Sequence, residues 1–244
     1  MKKVNFLVLL LTLAIISCDK EELVEANLQS DAEQFISNTG NSDKEGEIVE
    51  SEDVEIALHM SFDENISEED ALATFERATA DYLASQPQEA WVNKFRYRIT
   101  TKTSSTNNYG TDAPVYSKVK FYTNRGNFQY TKRLDNPNKN DFKEGKTDYF
   151  LLEVTTNYPP CWIRLVPNGS LVKLQGTDGW GLTKLVIDMT ESMQLGGADA
   201  SGHISMTDYP NVLLDNISSN YWDEYVITGK NGFYGSMTLQ ENCD

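Results

Sequence analysis

Histidine is almost missing from this chain: two residues, His59 and His203, in 244. Cysteine stops at three, and basic side chains number 21 against 37 acidic ones. Each shortage excludes something. A phosphate-binding protein needs a positive footprint, so the charge balance argues against nucleic acid. No apolar run reaches the ~20 residues that span a bilayer. No C-x-x-C pair offers a thiolate metal site, and no G-x-S-x-G elbow occurs; Gly235, Ser236 and Met237 do not mimic one. His203 follows a glycine-rich stretch and stands alone, which reads as a loop residue and not a catalytic base. The pattern shows no internal repeat, and no helical segment separates successive strands as a parallel α/β sheet requires. The expectation is a protein that is not an enzyme.

What is present begins with Lys2 and Lys3, then an apolar run from Phe6 to Ile16, then Ser17 and Cys18. A charged start followed by a short apolar stretch is an export signal and lies outside any fold argument. Its ending, Ile15-Ile16-Ser17-Cys18, resembles a bacterial lipobox, which implies that residues 1–17 are removed and that Cys18 is acylated as the membrane anchor, for instance with palmitate. Residues 18 to 76 hold 19 acidic side chains against two lysines, whereas residues 77 to 244 hold 18 acidic and 17 basic ones. A block so acidic and so poor in periodicity repels itself, so residues 18–52 are expected to be a flexible tether. Asp19-Lys20-Glu21-Glu22 directly after Cys18 resembles the surface-export signal of Bacteroidetes lipoproteins. The expected location is the outer membrane, with cell-surface display and retention on the periplasmic leaflet both open. With Cys18 acylated, Cys161 and Cys243 remain as an even pair in an oxidising compartment; a disulfide and two separate thiols are the alternatives.

Residues 53–93 read as a helical segment. Ser67 caps it, Glu68, Glu69 and Asp70 suit the positive helix end, and Leu72, Phe75, Thr79 and Tyr82 share a face. From residue 94 to 244 the pattern changes to short strands with turn punctuation. Phe95, Tyr97 and Ile99 alternate with Arg96, Arg98 and Thr100, as in a half-buried strand. Further strands are expected at 115–122, 127–134, 148–154, 161–166, 182–189, 221–228 and 235–240. Eight such strands predict an all-β fold, an antiparallel sandwich.

Two stretches within it resemble the PLAT family (polycystin, lipoxygenase, alpha-toxin). One is the strand Phe95 to Thr101 followed by Asn108-Tyr109-Gly110-Thr111-Asp112-Ala113. The other, LDNPNKNDFKEGKTDYFLLEV from Leu134 to Val154, is similar to the C-terminal domain of bacterial alpha-toxin phospholipases. Trp162-Ile163-Arg164 and Asp178-Gly179 continue the register. The resemblance implies a two-sheet sandwich that binds calcium through loops at one end and engages phospholipid. Asp135, Asn136 and Asp141 match one calcium site; Asn108, the Gly110 carbonyl, Asp178 and the Gly179 carbonyl match a second. The first loop is a residue longer than the family pattern, and Asn108 stands where an acid is usual. As turn formers, Asn, Asp and Gly also explain these loops without an ion. Tyr109 and Trp180 flank the loops and are candidate membrane contacts, with a core role for Trp180 as the alternative. Phe142 and Phe150 are expected to fill the sandwich and Gly145 to make a turn.

The phospholipases that carry such a domain have a separate histidine-rich catalytic unit, for which two histidines do not suffice. The sequence therefore points to a non-catalytic lipid-anchored binding module for a second phospholipid surface or a membrane-associated protein. A glycan-binding accessory lipoprotein, with Tyr116, Tyr122, Tyr130 and Trp222 as ring platforms, and a ligand-free envelope protein are the alternatives.

Overall fold

The acidic first turn after Ser67 becomes a helix because its free amides find partners: the Asp70 N–H donates to Ser67 Oγ at 3.0 Å, and Ser67 Oγ donates to Asp70 Oδ2 at 2.7 Å. In the computed structural model, which describes residues 50–87, 93–135, 141–157, 160–166, 168–194, 200–215, 222–230 and 235–240, this helix is α1 (Glu68–Ser85). It buries Ala71, Phe75, Thr79 and Leu83, so the apolar face includes two expected residues and two of their neighbours. Ser67→Ala is expected to cost about 1 kcal/mol of stability, readable by urea denaturation.

Twelve strands stand among the described residues, not eight. The eight expected ones are β2 (Lys94–Thr103), β3 (Val115–Thr123), β4 (Gly126–Arg133), β5 (Thr147–Thr155), β6 (Trp162–Leu165), β8 (Trp180–Thr190), β11 (Trp222–Val226) and β12 (Met237–Thr238). Four more join them: β1 (Val54–Phe62), β7 (Leu171–Gln175), β9 (Ser201–Asp208) and β10 (Val212–Leu214). The first of these lies in the segment 53–93, for which a helix and no strand was expected. All pairings are antiparallel. One sheet runs β1-β5-β2-β8-β9 with β10 beside β8; the other is built on β3, which pairs with β4 on one side and with β6 and β7 on the other, and adds β11 and β12. Pairing of β12 with both β6 and β9 joins the sheets at that edge.

Two apolar clusters hold this together. The larger lies between the sheets and includes Phe95, Tyr97, Ile99, Phe121, Phe142, Phe150, Trp180 and Ile187. The smaller lies under α1, where Phe75 stacks on Tyr149 with ring centroids 5.3 Å apart and Leu151 is fully buried. β5 is thus covered on both faces, so TDYFLLEVT is buried almost throughout and carries an apolar run from Tyr149 to Leu152. Phe142 and Phe150 fill the interior as expected, and Gly145 turns the chain at φ +72°.

Cover on the outer face also changes the reading of β2. Arg96 and Arg98, expected at the exposed side of a half-buried strand, are 0% and 6% exposed. Glu153 and Asp188 neutralise them there. The tether boundary moves as well: the Ser51 N–H donates to the Thr131 carbonyl at 2.9 Å and Glu50 pairs with Lys132 at 2.9 Å, so residues 50–52 already dock on β4. At the other end, Asp208 fastens the closing strand by accepting from Tyr225 Oη at 2.8 Å and from the Thr228 and Lys230 amides. Burial alone would raise its pKa, but these donors outweigh that and hold it below the ordinary carboxylate range.

Candidate functional site

In a strand, residues alternate between faces, so one extra residue reverses every side chain after it. Ala57 is such a residue in β1: Ile56 faces Leu152 of β5 and Leu58 faces Leu151, with Ala57 left over. Before it, Val54 and Ile56 belong to the sandwich interior. After it, Leu58, Met60 and Phe62 lie under α1. His59 and Ser61 are thereby turned inward, where His59 stacks on Phe150 with centroids 4.2 Å apart.

Two carboxylates meet that imidazole. His59 Nε2 lies 3.1 Å from Asp148 Oδ1, and His59 Nδ1 lies 3.7 Å from Asp141 Oδ1. Asp148 is fully buried, Asp141 is 5% exposed, and the His59 side chain 7%. The second Asp148 oxygen accepts from the Phe142 N–H at 3.1 Å. On the neighbouring strands Ser61 and Thr101 stand opposite Asp148, and both hydroxyls are buried with no hydrogen-bond partner. Among the described residues, this is the one group of three histidine or acidic side chains whose donor atoms all fall within 4.8 Å of one another. Sequence reasoning missed His59, although the alternation in VEIALHMSF carries the signal: apolar residues occupy positions 54 and 56, then 58, 60 and 62, leaving His59 and Ser61 on the face that Val54 and Ile56 began only if a residue bulges.

Three loops meet nearby. The Thr111 N–H donates to the Phe142 carbonyl at 3.0 Å, and Thr111 Oγ1 donates to the Asp178 carbonyl at 3.1 Å. Asp178 Oδ2 accepts from the Asp112 N–H at 2.6 Å, and the Asn108 N–H donates to Glu144 Oε1 at 3.1 Å. Asn108 takes φ +63°, a conformation asparagine tolerates. The loops carrying Asn108, Gly110, Asp178 and Gly179 are therefore tied to each other and to the turn after Asp141. Their donors are all hard oxygens of the kind calcium takes, and Asp178 is exposed, so this set fits that ion chemically.

The Asp135 set does not. Asp135 accepts from Arg133 Nε at 2.9 Å through both oxygens and from the Val115 N–H at 3.0 Å, so its charge is already matched. Asp141 faces an imidazole, a ligand calcium does not favour. Asn136 lies outside the described residues. The membrane-contact reading of Trp180 is corrected outright: the ring is fully buried, its Nε1–H donates to Thr103 Oγ1 at 3.0 Å, and it packs edge-on against Phe142 with centroids 5.1 Å apart. Tyr109 is half-buried and packs close against Gly181, where a Cβ would stand 2.6 Å from its ring. Of the ring platforms, Tyr130 is 6% exposed and sits in the core, whereas Tyr122 is 41% exposed and packs beside Trp162. Cys161 is buried, with its amide and sulfur both bonded to the Asn124 side chain. Cys243 and Cys18 lie outside the described residues.

No protein-family model matches the chain, and no curated protein matches it. Among solved structures it is similar to the alpha toxin from Clostridium absonum, with a TM-score of 0.36 and 16% identity over 55% of this chain and 31% of that one. It is similar also to the Clostridium perfringens alpha-toxin from an avian strain, at 0.33 and 18% over 59% and 34%. A third is a coral 8R-lipoxygenase, described as calcium-activated through a C2-like domain, at 0.32 and 15% over 55% and 17%. The match thus spans well under two thirds of each solved chain.

Proposed function

We propose that this chain is a non-catalytic binding module, anchored to the outer membrane through acylated Cys18, whose loop end takes up calcium to engage a phospholipid surface. The observation that carries the reading is the tie between Asp178 and the Thr111-Asp112 backbone, which holds Asn108, Gly110, Asp178 and Gly179 on adjoining loops. Calcium needs about six to eight oxygens. One carboxylate, one amide and two carbonyls leave room in the shell for water and a lipid phosphate, which couples ion uptake to the surface. The acidic stretch behind Cys18 serves as the stalk that lets the module reach a second membrane, or a protein on it. A disulfide between Cys161 and Cys243 would fasten the C-terminus beside β6; peptide mapping without reductant tests it, and a mass spectrum of the N-terminal peptide tests the acyl chains.

The decisive experiment is co-sedimentation of the chain with phosphatidylcholine vesicles in millimolar calcium or in EGTA. Pelleting in calcium alone is expected, and Asp178→Asn should weaken it at least about tenfold by removing the site's one carboxylate. Equal pelleting with and without calcium would overturn the reading. The exposed Tyr122 beside the half-buried Trp162, with Arg164 over the Trp162 ring at 5.2 Å, favours a glycan as the second reading, and a glycan array run beside the vesicles discriminates between them.

A further inference from the structure

The interior cluster asks for a cation of a different kind. Two carboxylates and one imidazole meet there, each nearly or fully closed to water. Asp148 Oδ1 lies 3.1 Å from His59 Nε2, within reach of an N–H donated by that nitrogen. With the proton there, Nδ1 presents a lone pair, buried and without a hydrogen-bond partner, toward Asp141 Oδ1 at 3.7 Å. That gap is too long for a hydrogen bond. Two donors each about 2.0 to 2.2 Å from one ion stand about 3.3 to 3.8 Å apart at ordinary coordination angles, which is the observed span.

We propose that His59 Nδ1 and Asp141 hold a divalent first-row transition ion of the zinc class, with Asp148 fixing the imidazole from behind. The choice of ion follows from the donors. Imidazole with carboxylate suits zinc and its neighbours, whereas calcium takes oxygen shells. A carboxylate behind a metal-bound histidine sets the tautomer and the ring angle, as Asp148 does here. The site is built partly from β1, outside the residues 94–228 that carry the family resemblance, and it stands whether or not the loop end binds calcium.

The test is zinc uptake by the full chain, measured by equilibrium dialysis with elemental analysis in excess calcium. One zinc per chain is expected, and Asp148→Asn should weaken it by about 10- to 100-fold. His203 is exposed, so a His203→Asn chain leaves His59 as the sole imidazole and makes its ring protons readable by NMR without touching the core. One equivalent of zinc is expected to shift those resonances. No stoichiometric zinc, or bound zinc that leaves the His59 ring protons unmoved, overturns the proposal.

Discussion

Glu153→Ala is expected to lower the free energy of unfolding by about 3 to 5 kcal/mol, because it strands a buried arginine. Arg96 is 0% exposed, its Nε and Nη1 have no hydrogen-bond partner, and its charge is matched by Glu153, which also pairs with Lys94 and accepts from Tyr82 Oη at 3.3 Å. Burial pushes the guanidinium pKa down and Glu153 is the main opposing influence. Removing the partner therefore costs far more than the pair is worth. Replacing both, as in Arg96→Met with Glu153→Leu, should recover most of the loss, since apolar groups of similar volume need no compensation. Urea denaturation of the three variants checks this. The pH dependence has a definite sign. Burial alone would raise the Glu153 pKa, but Lys94 and Arg96 together bring it below the ordinary value. The carboxylate thus contributes fully above its unfolded-state pKa of about 4.3 and loses that contribution as pH falls through the lower folded-state value. Stability should drop over that acid window in the native chain and less steeply in Glu153→Ala.

Trp180→Ala should cost about 3 to 5 kcal/mol and act on the fold, not on any membrane contact. The ring fills the interior against Phe142, and its N–H satisfies Thr103, so truncation opens a cavity and orphans a buried hydroxyl at once. Trp180→Phe keeps part of the volume and should recover part of the loss. A thermal melt measures the stability. Vesicle binding by whatever fraction remains folded should be unchanged, and a selective loss of binding at native stability would return Trp180 to the surface role.

Among the strands that local pattern revealed, β2 and β3 are those whose inward residues keep one parity. β1 escaped although Val54, Ile56, Leu58, Met60 and Phe62 keep one parity; the bulge at Ala57, which divides them between two faces, leaves no mark in that alternation. β9 escaped because only Ile204, Met206 and Asp208 turn inward, between serine, glycine and threonine that read as loop. At the site, Asn108, Gly110, Asp178 and Gly179 were legible because turn residues stay where the chain turns. Asp135 was misread for a reason the sequence does contain: Arg133 is two residues earlier, and in extended chain that spacing puts both side chains on one side. The contact of Asp141 with His59 could not be read without β1, since His59 lies 82 positions earlier.

By itself the sequence determined the strand-rich class, the helix and its serine cap, and the loops at one end, because alternation, capping and turn chemistry are local properties of adjacent residues. Only the tertiary structure decided that Arg96 and Trp180 are buried, that Asp135 belongs to Arg133, and that His59 meets Asp141 and Asp148. Those outcomes depend on which strand lies beside which and on a one-residue bulge, and pairing between distant segments is settled by packing that no local window contains.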